Sequence, residues 1–473
     1  MKTRFLTYTA VVALFASSCS DITEMNVDKK RPTAVPATML ITSAEKSMVD
    51  NMASTSVNLN IFRLLSQQWT ETTYTDEANY DLATRNIPQN LWHAFYRDVL
   101  KDLSEAKGLI TADNSLQADV KKNQLAIEDV LEVYSYSVLV STFGNIPYSK
   151  ALDFNNPQPV YDDAKTIHLD LIKRLDASIA AMNTSAESFG GSDIMFGGDV
   201  AMWKTFANSL KLRLGMMLAD VDAAAAKTAV ESAAKGAIAS PDEDAVFHYL
   251  ATPPNNNPIW TDLIQSGRKD YVAADTYLNA LVALKDPRVG AYFTKDAKGG
   301  YSGGVYGASN NYATFSKVNP TVSAADFPHV LIDYTEVEFL LAEAVERGFN
   351  VGGTAAGHYE NAIASSFDAW GVAGANDYLA QTSVAYATAT GDWKQKIGTQ
   401  KWLALYNRGF DAWTEVRRLD APKLVAPSTA RSAFPVRYTY PVSEQNLNKA
   451  NFTAAASAVG GDKVDTKLFW DKF

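Results

Sequence analysis

Between Gln400 and Leu419 the chain reads QKWLALYNRGFDAWTEVRRL, and this stretch does most to limit what the protein can fold into. Trp402, Leu405, Tyr406, Gly409, Trp413 and Val416 recur at the spacing of one helix face. The pattern predicts a single long amphipathic helix over 400–419, with Pro422 marking a stop just beyond it. Two indoles and a phenol on one face are large surfaces to hide, so other helices must pack onto them. The opposite side carries Lys401, Asn407, Glu415, Arg417 and Arg418 and suits solvent or a polar partner.

Four more stripes of the same period precede it. Trp92, Phe95, Tyr96, Val99, Leu100 and Leu103 form one, and Val130, Val133, Tyr134, Ser137 and Val138 a second. Ile167, Leu171, Leu175, Ile179 and Met182 make the third, and Trp203, Phe206, Ala207, Leu210, Leu214 and Leu218 the fourth. Their starts lie roughly 35 to 40 residues apart, the spacing of a helix-pair solenoid such as the tetratricopeptide repeat. The expected class is therefore mainly α: a helix-pair scaffold over about 92–220 and C-terminal helices over about 329–473. Between them, about 241–328, the pattern breaks into Pro253, Pro254, Asn255 to Asn257, Pro258 and the glycines 299, 300, 303, 304 and 307. That composition predicts loops and turns with short strands, and an insertion so long is expected to carry function. At 473 residues the chain exceeds the usual single core, so two lobes or one elaborate domain are expected.

The first residues give an address. Lys2 and Arg4 precede an apolar run from Phe5 to Ala16, too short to span a bilayer and shaped like a signal peptide over 1–18. Next comes Ala16-Ser17-Ser18-Cys19, which resembles a bacterial lipobox, and Cys19 is the only cysteine, so no internal disulfide can form. Acylation of Cys19 would tether the body to a membrane through the polar, proline-containing stretch 19–36, leaving 37–473 as the folded part. The formal charge of −10 argues against nucleic acid or an anionic lipid surface as the main partner.

Several segments carry a family resemblance. Asp333 to Val345 (DYTEVEFLLAEAV), Gln400 to Leu419 and Tyr438 to Asn448 (YTYPVSEQNLN) resemble stretches of the SusD/RagB family of nutrient-binding outer-membrane lipoproteins. Phe143 to Tyr148 (FGNIPY), Ala207 to Arg213 (ANSLKLR) and Asp286-Pro287-Arg288 are similar to its recurring signatures, and all six fall in the family's order. The resemblance implies a tetratricopeptide-like helical scaffold whose long loop insertions build the ligand site. It also implies a surface lipoprotein that catches oligosaccharide, or peptide in some members, and delivers it to a SusC-like TonB-dependent transporter. Asp21 and Glu24 resemble the acidic surface-export signal of such lipoproteins.

The residues themselves point to binding rather than catalysis. His93, His168, His248, His329 and His358 are scattered without metal-ligand spacing, so no metal or other cofactor is expected and each reads as packing or surface. Gly300-Tyr301-Ser302-Gly303-Gly304 fits the G-x-S-x-G elbow, but its Gly- and Asn-rich flanks lack the strand and helix that motif needs. Aromatics beside planar polar side chains are the stronger signal: Trp69, Tyr74, Asn79 and Tyr80, then Trp260, Arg268 and Tyr271, then Tyr301 and Tyr306. Rings cover the C–H face of a sugar while such polar groups grip its hydroxyls. On this reading Trp69→Ala, Trp260→Ala and Tyr301→Ala should weaken capture and leave the fold nearly as stable. A membrane-tethered hydrolase using Ser302 or a carboxylate pair such as Asp76 and Glu77, and a purely structural helix-repeat scaffold, are the readings from other classes.

Overall fold

Local capping explains where many of the helices begin. The computed structural model describes residues 35–473, so the expected leader, Cys19 and nearly all of the tether lie outside the described residues. After α1 (Ala37–Ala53) and the short α2 (Phe62–Leu65), α3 (Ile87–Phe95) runs through a π turn into α4 (Lys101–Ala112). The scaffold continues with α5 (Ala118–Phe143), α6 (Ala164–Ala181), α7 (Val200–Met217) and α8 (Ala223–Ala233). Asp163, Asp199 and Asp222 cap the last three by accepting from backbone N–H groups of the first turn, each cap contributing about 1 kcal/mol. Helices α5 with α6, and α7 with α8, pack as neighbouring pairs, and α6 against α7 joins the pairs. The four sequence stripes fall on these helices, and the chain is mainly α with the repeated helix pairs of a tetratricopeptide-type scaffold.

The C-terminal part adds α10 (Tyr334–Glu346) and α11 (Ala355–Ala369), a third close pair, with α9 (Asp275–Ala283) preceding them in the insertion. Asp333 and Thr354 cap α10 and α11. Helices α12 (Trp393–Ala404), α13 (Gly409–Leu419) and α14 (Lys449–Ala458) follow, with shorter helical turns between the longer helices. One connected apolar core reaches from Ile41 to Trp470, and a smaller cluster around Phe339, Tyr359, Ile363 and Ile397 lies among α10, α11 and α12.

The single helix expected over 400–419 is two helices, α12 and α13, broken at Leu405–Arg408. Gln68 explains the break: its side-chain amide donates to the Leu405 carbonyl at 2.9 Å and accepts from the Asn407 amide at 3.0 Å. Asn407 takes a left-handed conformation, φ 66°, to make the corner. Gly409 then starts α13 where α2 crosses, since a Cβ there would lie 2.5 Å from the Arg63 nitrogen.

The polar side of this stretch does not meet solvent either. Lys401, Glu415, Arg417 and Arg418 are all buried. Arg418 pairs with Glu343 of α10 and, at 2.7 Å, with Glu415, which Lys401 also reaches at 2.9 Å. Arg213 of α7 bonds Glu336 at 2.7 Å, and Arg408 engages Glu336, Asp333 and Asp411. Burial by itself would raise the Glu415 carboxyl, but Arg418 and Lys401 outweigh it and hold the group well below the ordinary carboxylate range. Periodicity alone marks this face as polar; it takes the packed helices to show that its charges neutralise one another inside.

Candidate functional site

Two three-residue strands organise the surface. β1 (Trp69–Glu71) and β3 (Tyr271–Ala273) pair antiparallel, Trp69 opposite Ala273 and Glu71 opposite Tyr271. Thr72 prolongs the pairing by bonding the carbonyls of Asp270 (2.9 Å) and Lys269 (2.7 Å). Segments 72–85 and 262–270 are thereby fixed side by side although they are far apart in sequence. β2 (Ala245–Phe247) and β4 (His329–Ile332) form a second two-stranded pair that ties the insertion to the scaffold.

Three adjoining hollows meet at Arg268 and Asp270, which line all three. The first is walled by Asn58, Arg85 and Asp262, the second by Tyr74 and Glu77, the third by Ile264, Tyr312 and Lys317. Together they form a groove with an exposed tyrosine at one end, Tyr74 at 63% exposure, and the half-buried Tyr312 at the other. Lys269 and Lys317 stand 5.8 and 5.2 Å from the Tyr312 ring centre. Between the rings, Arg268 pairs with Asp270 and Arg85 with Glu77, so the charges along the floor are matched and still partly wetted.

Beneath Tyr74 lies a carboxyl pair that sequence reasoning missed. Burial, with the neighbouring Glu77 carboxylate adding to it, raises Glu71 to about 9, against an opposing hydrogen bond from the Ala78 amide. The folded protein therefore holds a proton on Glu71 that the unfolded chain, at about 4.5, would release. Stability must fall as pH climbs between those values, by at most about 1.4 kcal/mol per pH unit for one proton. Glu71→Gln is expected to remove that loss: thermal melts of wild type and variant should nearly coincide at pH 4 and separate in the variant's favour toward pH 9.

The structure sorts the sequence-predicted residues sharply. Tyr74 and Arg268 line the groove and are exposed, and Tyr271 contributes only a buried edge. Trp69 is 1% exposed, its indole N–H donating to the Tyr406 hydroxyl at 3.2 Å with Arg63 over its ring at 5.2 Å. Tyr80 and Tyr306 are buried too, the Tyr306 hydroxyl donating to the Leu64 carbonyl and that of Tyr271 to Thr55. Asn79 is an internal staple, donating to Thr75 and Gly307 carbonyls, both at 2.7 Å. Trp260 and Tyr301 are half-buried and do not line the groove. The expectation that Trp69 could be lost without structural cost is corrected: β1 is covered on both faces, all three of its residues being buried, and the Trp69 ring lies in the core. Asn58, Asp262, Asp270 and Lys317 carry no sequence signal, because only the β1–β3 pairing brings them together.

Nothing at Ser302 resembles a nucleophile elbow. Its hydroxyl donates to Asp296 at 2.8 Å, and the residues around it form turns with no helix following. Among the described residues one acidic trio, Glu128, Asp129 and Glu132, lies within metal-ligating distance of itself. Lys107, 3.1 Å from Glu128 and Glu132, and Arg174, 2.6 Å from Asp129, already occupy it.

Comparison with known proteins follows the fold. A SusD-like family model, described as starch-binding and associating with the outer membrane, matches residues 29–441. No curated protein matches at a significant level. Among solved structures, a chitin-binding SusD homologue from Flavobacterium johnsoniae is 25% identical with a TM-score of 0.78, covering 91% of this chain and 98% of its own. A SusD homologue from Bacteroides uniformis is also 25% identical at 0.78, covering 92% and 98%. A further chitin-binding protein, 23% identical, superposes at 0.80 over 92% of this chain and 100% of its own, a likeness of fold. The chain belongs to the SusD-like family, whose members are nutrient-binding proteins of the outer membrane that pair with SusC-like TonB-dependent transporters and are generally not catalysts.

Proposed function

We propose that this protein captures an oligosaccharide in the groove centred on Arg268 and Asp270 and passes it, chemically unchanged, to a SusC-like transporter. In this reading residues 1–18 are a leader, acylated Cys19 with the tether to 36 anchors the protein on the outer face of the outer membrane, and 37–473 is the binding body. The observation that carries the proposal is the pairing of a far-exposed ring, Tyr74, and a second ring, Tyr312, across a floor of matched charges. Rings so placed cover sugar C–H faces, while Arg268, Asp270, Asp262 and Asn58 offer donors and acceptors to hydroxyls without a net charge that would demand an ionic ligand. Two structurally similar proteins bind chitin, which favours a glycan over a peptide.

Tyr74→Ala is expected to weaken glycan capture by about 1–3 kcal/mol, the worth of one stacking ring, with the melting temperature unchanged. Isothermal titration with chitin and starch oligosaccharides, alongside a peptide library, measures it. Binding of peptides alone, or glycan binding indifferent to Tyr74 and Arg268, would overturn the proposal.

A further inference from the structure

A second, differently built pocket sits at the break between α12 and α13 and shares no lining residue with the groove. Its walls are mostly apolar: Phe327, Trp370 and Tyr406, with Trp370 and Phe327 tilted 32° at 6.0 Å and Trp370 and Tyr406 at 5.6 Å. Two polar side chains, His329 and Asn407, line this apolar space and can still bond a ligand there. His329 is 5% exposed and finds no side-chain partner among the described residues, burial and the nearby Arg63 and Arg408 keeping its ring neutral. Asn407 accepts from Arg63 at 2.8 Å through Oδ1, and its Nδ2 has no acceptor among the described residues.

An aromatic-walled pocket with a few convergent polar groups is the usual form of a small-molecule site. The only guanidinium on the wall, Arg408, is already engaged by Asp333, Glu336 and Asp411, so no free charge faces the pocket. We infer that this pocket binds one small, uncharged, ring-shaped molecule, its flat face against Trp370 and Phe327 and its rim oxygens bonded to Asn407 and His329. A free monosaccharide and a hydroxylated aromatic both have that chemistry. The site is independent of the groove, and its ligand need not be the transported one.

The test uses the full chain labelled with fluorotryptophan, the Trp370 resonance being identified by its loss in Trp370→Phe. Methyl glucoside, N-acetylglucosamine and p-hydroxybenzyl alcohol are titrated in turn. At least one is expected to shift that resonance saturably. Ala369→Trp, at the exposed lip of the pocket, is expected to weaken the response by about tenfold or more, whereas Tyr74→Ala leaves it intact. Response to the sugars alone assigns a saccharide, and response to the phenol alone an aromatic ligand. No saturable shift with any probe at tens of millimolar, or a shift that survives Ala369→Trp, overturns the inference.

Discussion

Arg418→Ala is expected to destabilise the protein by about 3–5 kcal/mol, the cost of leaving buried carboxylates short of their partner. The guanidinium is 1% exposed and donates to Glu343 and Glu415 on two different helices. Removing it leaves two carboxylates inside the protein, with Arg347 still on Glu343 at 2.8 Å and Lys401 still on Glu415 at 2.9 Å. Urea unfolding gives the number, and Arg418→Lys should recover only part of it, because a single ammonium cannot fork to both acids. A loss below about 1 kcal/mol would mean that the network is as weakly worth keeping as a surface pair.

Trp69→Ala is expected to cost a similar amount, about 3–5 kcal/mol, because it empties a fully enclosed indole site. The ring touches Tyr271 at 5.6 Å between centres and its N–H bonds Tyr406, whose own hydroxyl donates to the Tyr292 carbonyl at 3.0 Å. Loss of the indole therefore also unsettles the β1–β3 pair that forms the groove floor. Ligand affinity should drop along with the melting temperature, unlike Tyr74→Ala, where affinity alone changes. A Trp69→Ala protein that melts like the wild type would place the ring outside the core.

The scaffold helices and the family were legible in the sequence because they rest on local spacing: the four stripes and the family's signature segments are visible in short windows. The site was legible only in part. Tyr74 and Arg268 were found as loop residues beside polar neighbours, but the same rule also selected Trp69, Tyr80 and Tyr306, since composition does not say which way a loop ring turns. The helix break at Leu405–Arg408 was hidden for a related reason. What interrupts the 3.6-residue period there is Gln68, more than three hundred residues away, inserting its amide between two backbone groups.

The strand pairing under the groove also bears on how the molecule comes into being. Thr72 and Lys269, 197 residues apart, must find each other before any receptor surface exists. Contacts so distant along the chain form late, so a fragment ending within the insertion would make helices yet recognise nothing. Cargo held by the proposed groove would touch segments from both sides of that span and so stabilise their pairing by mass action, favouring chains that have been finished.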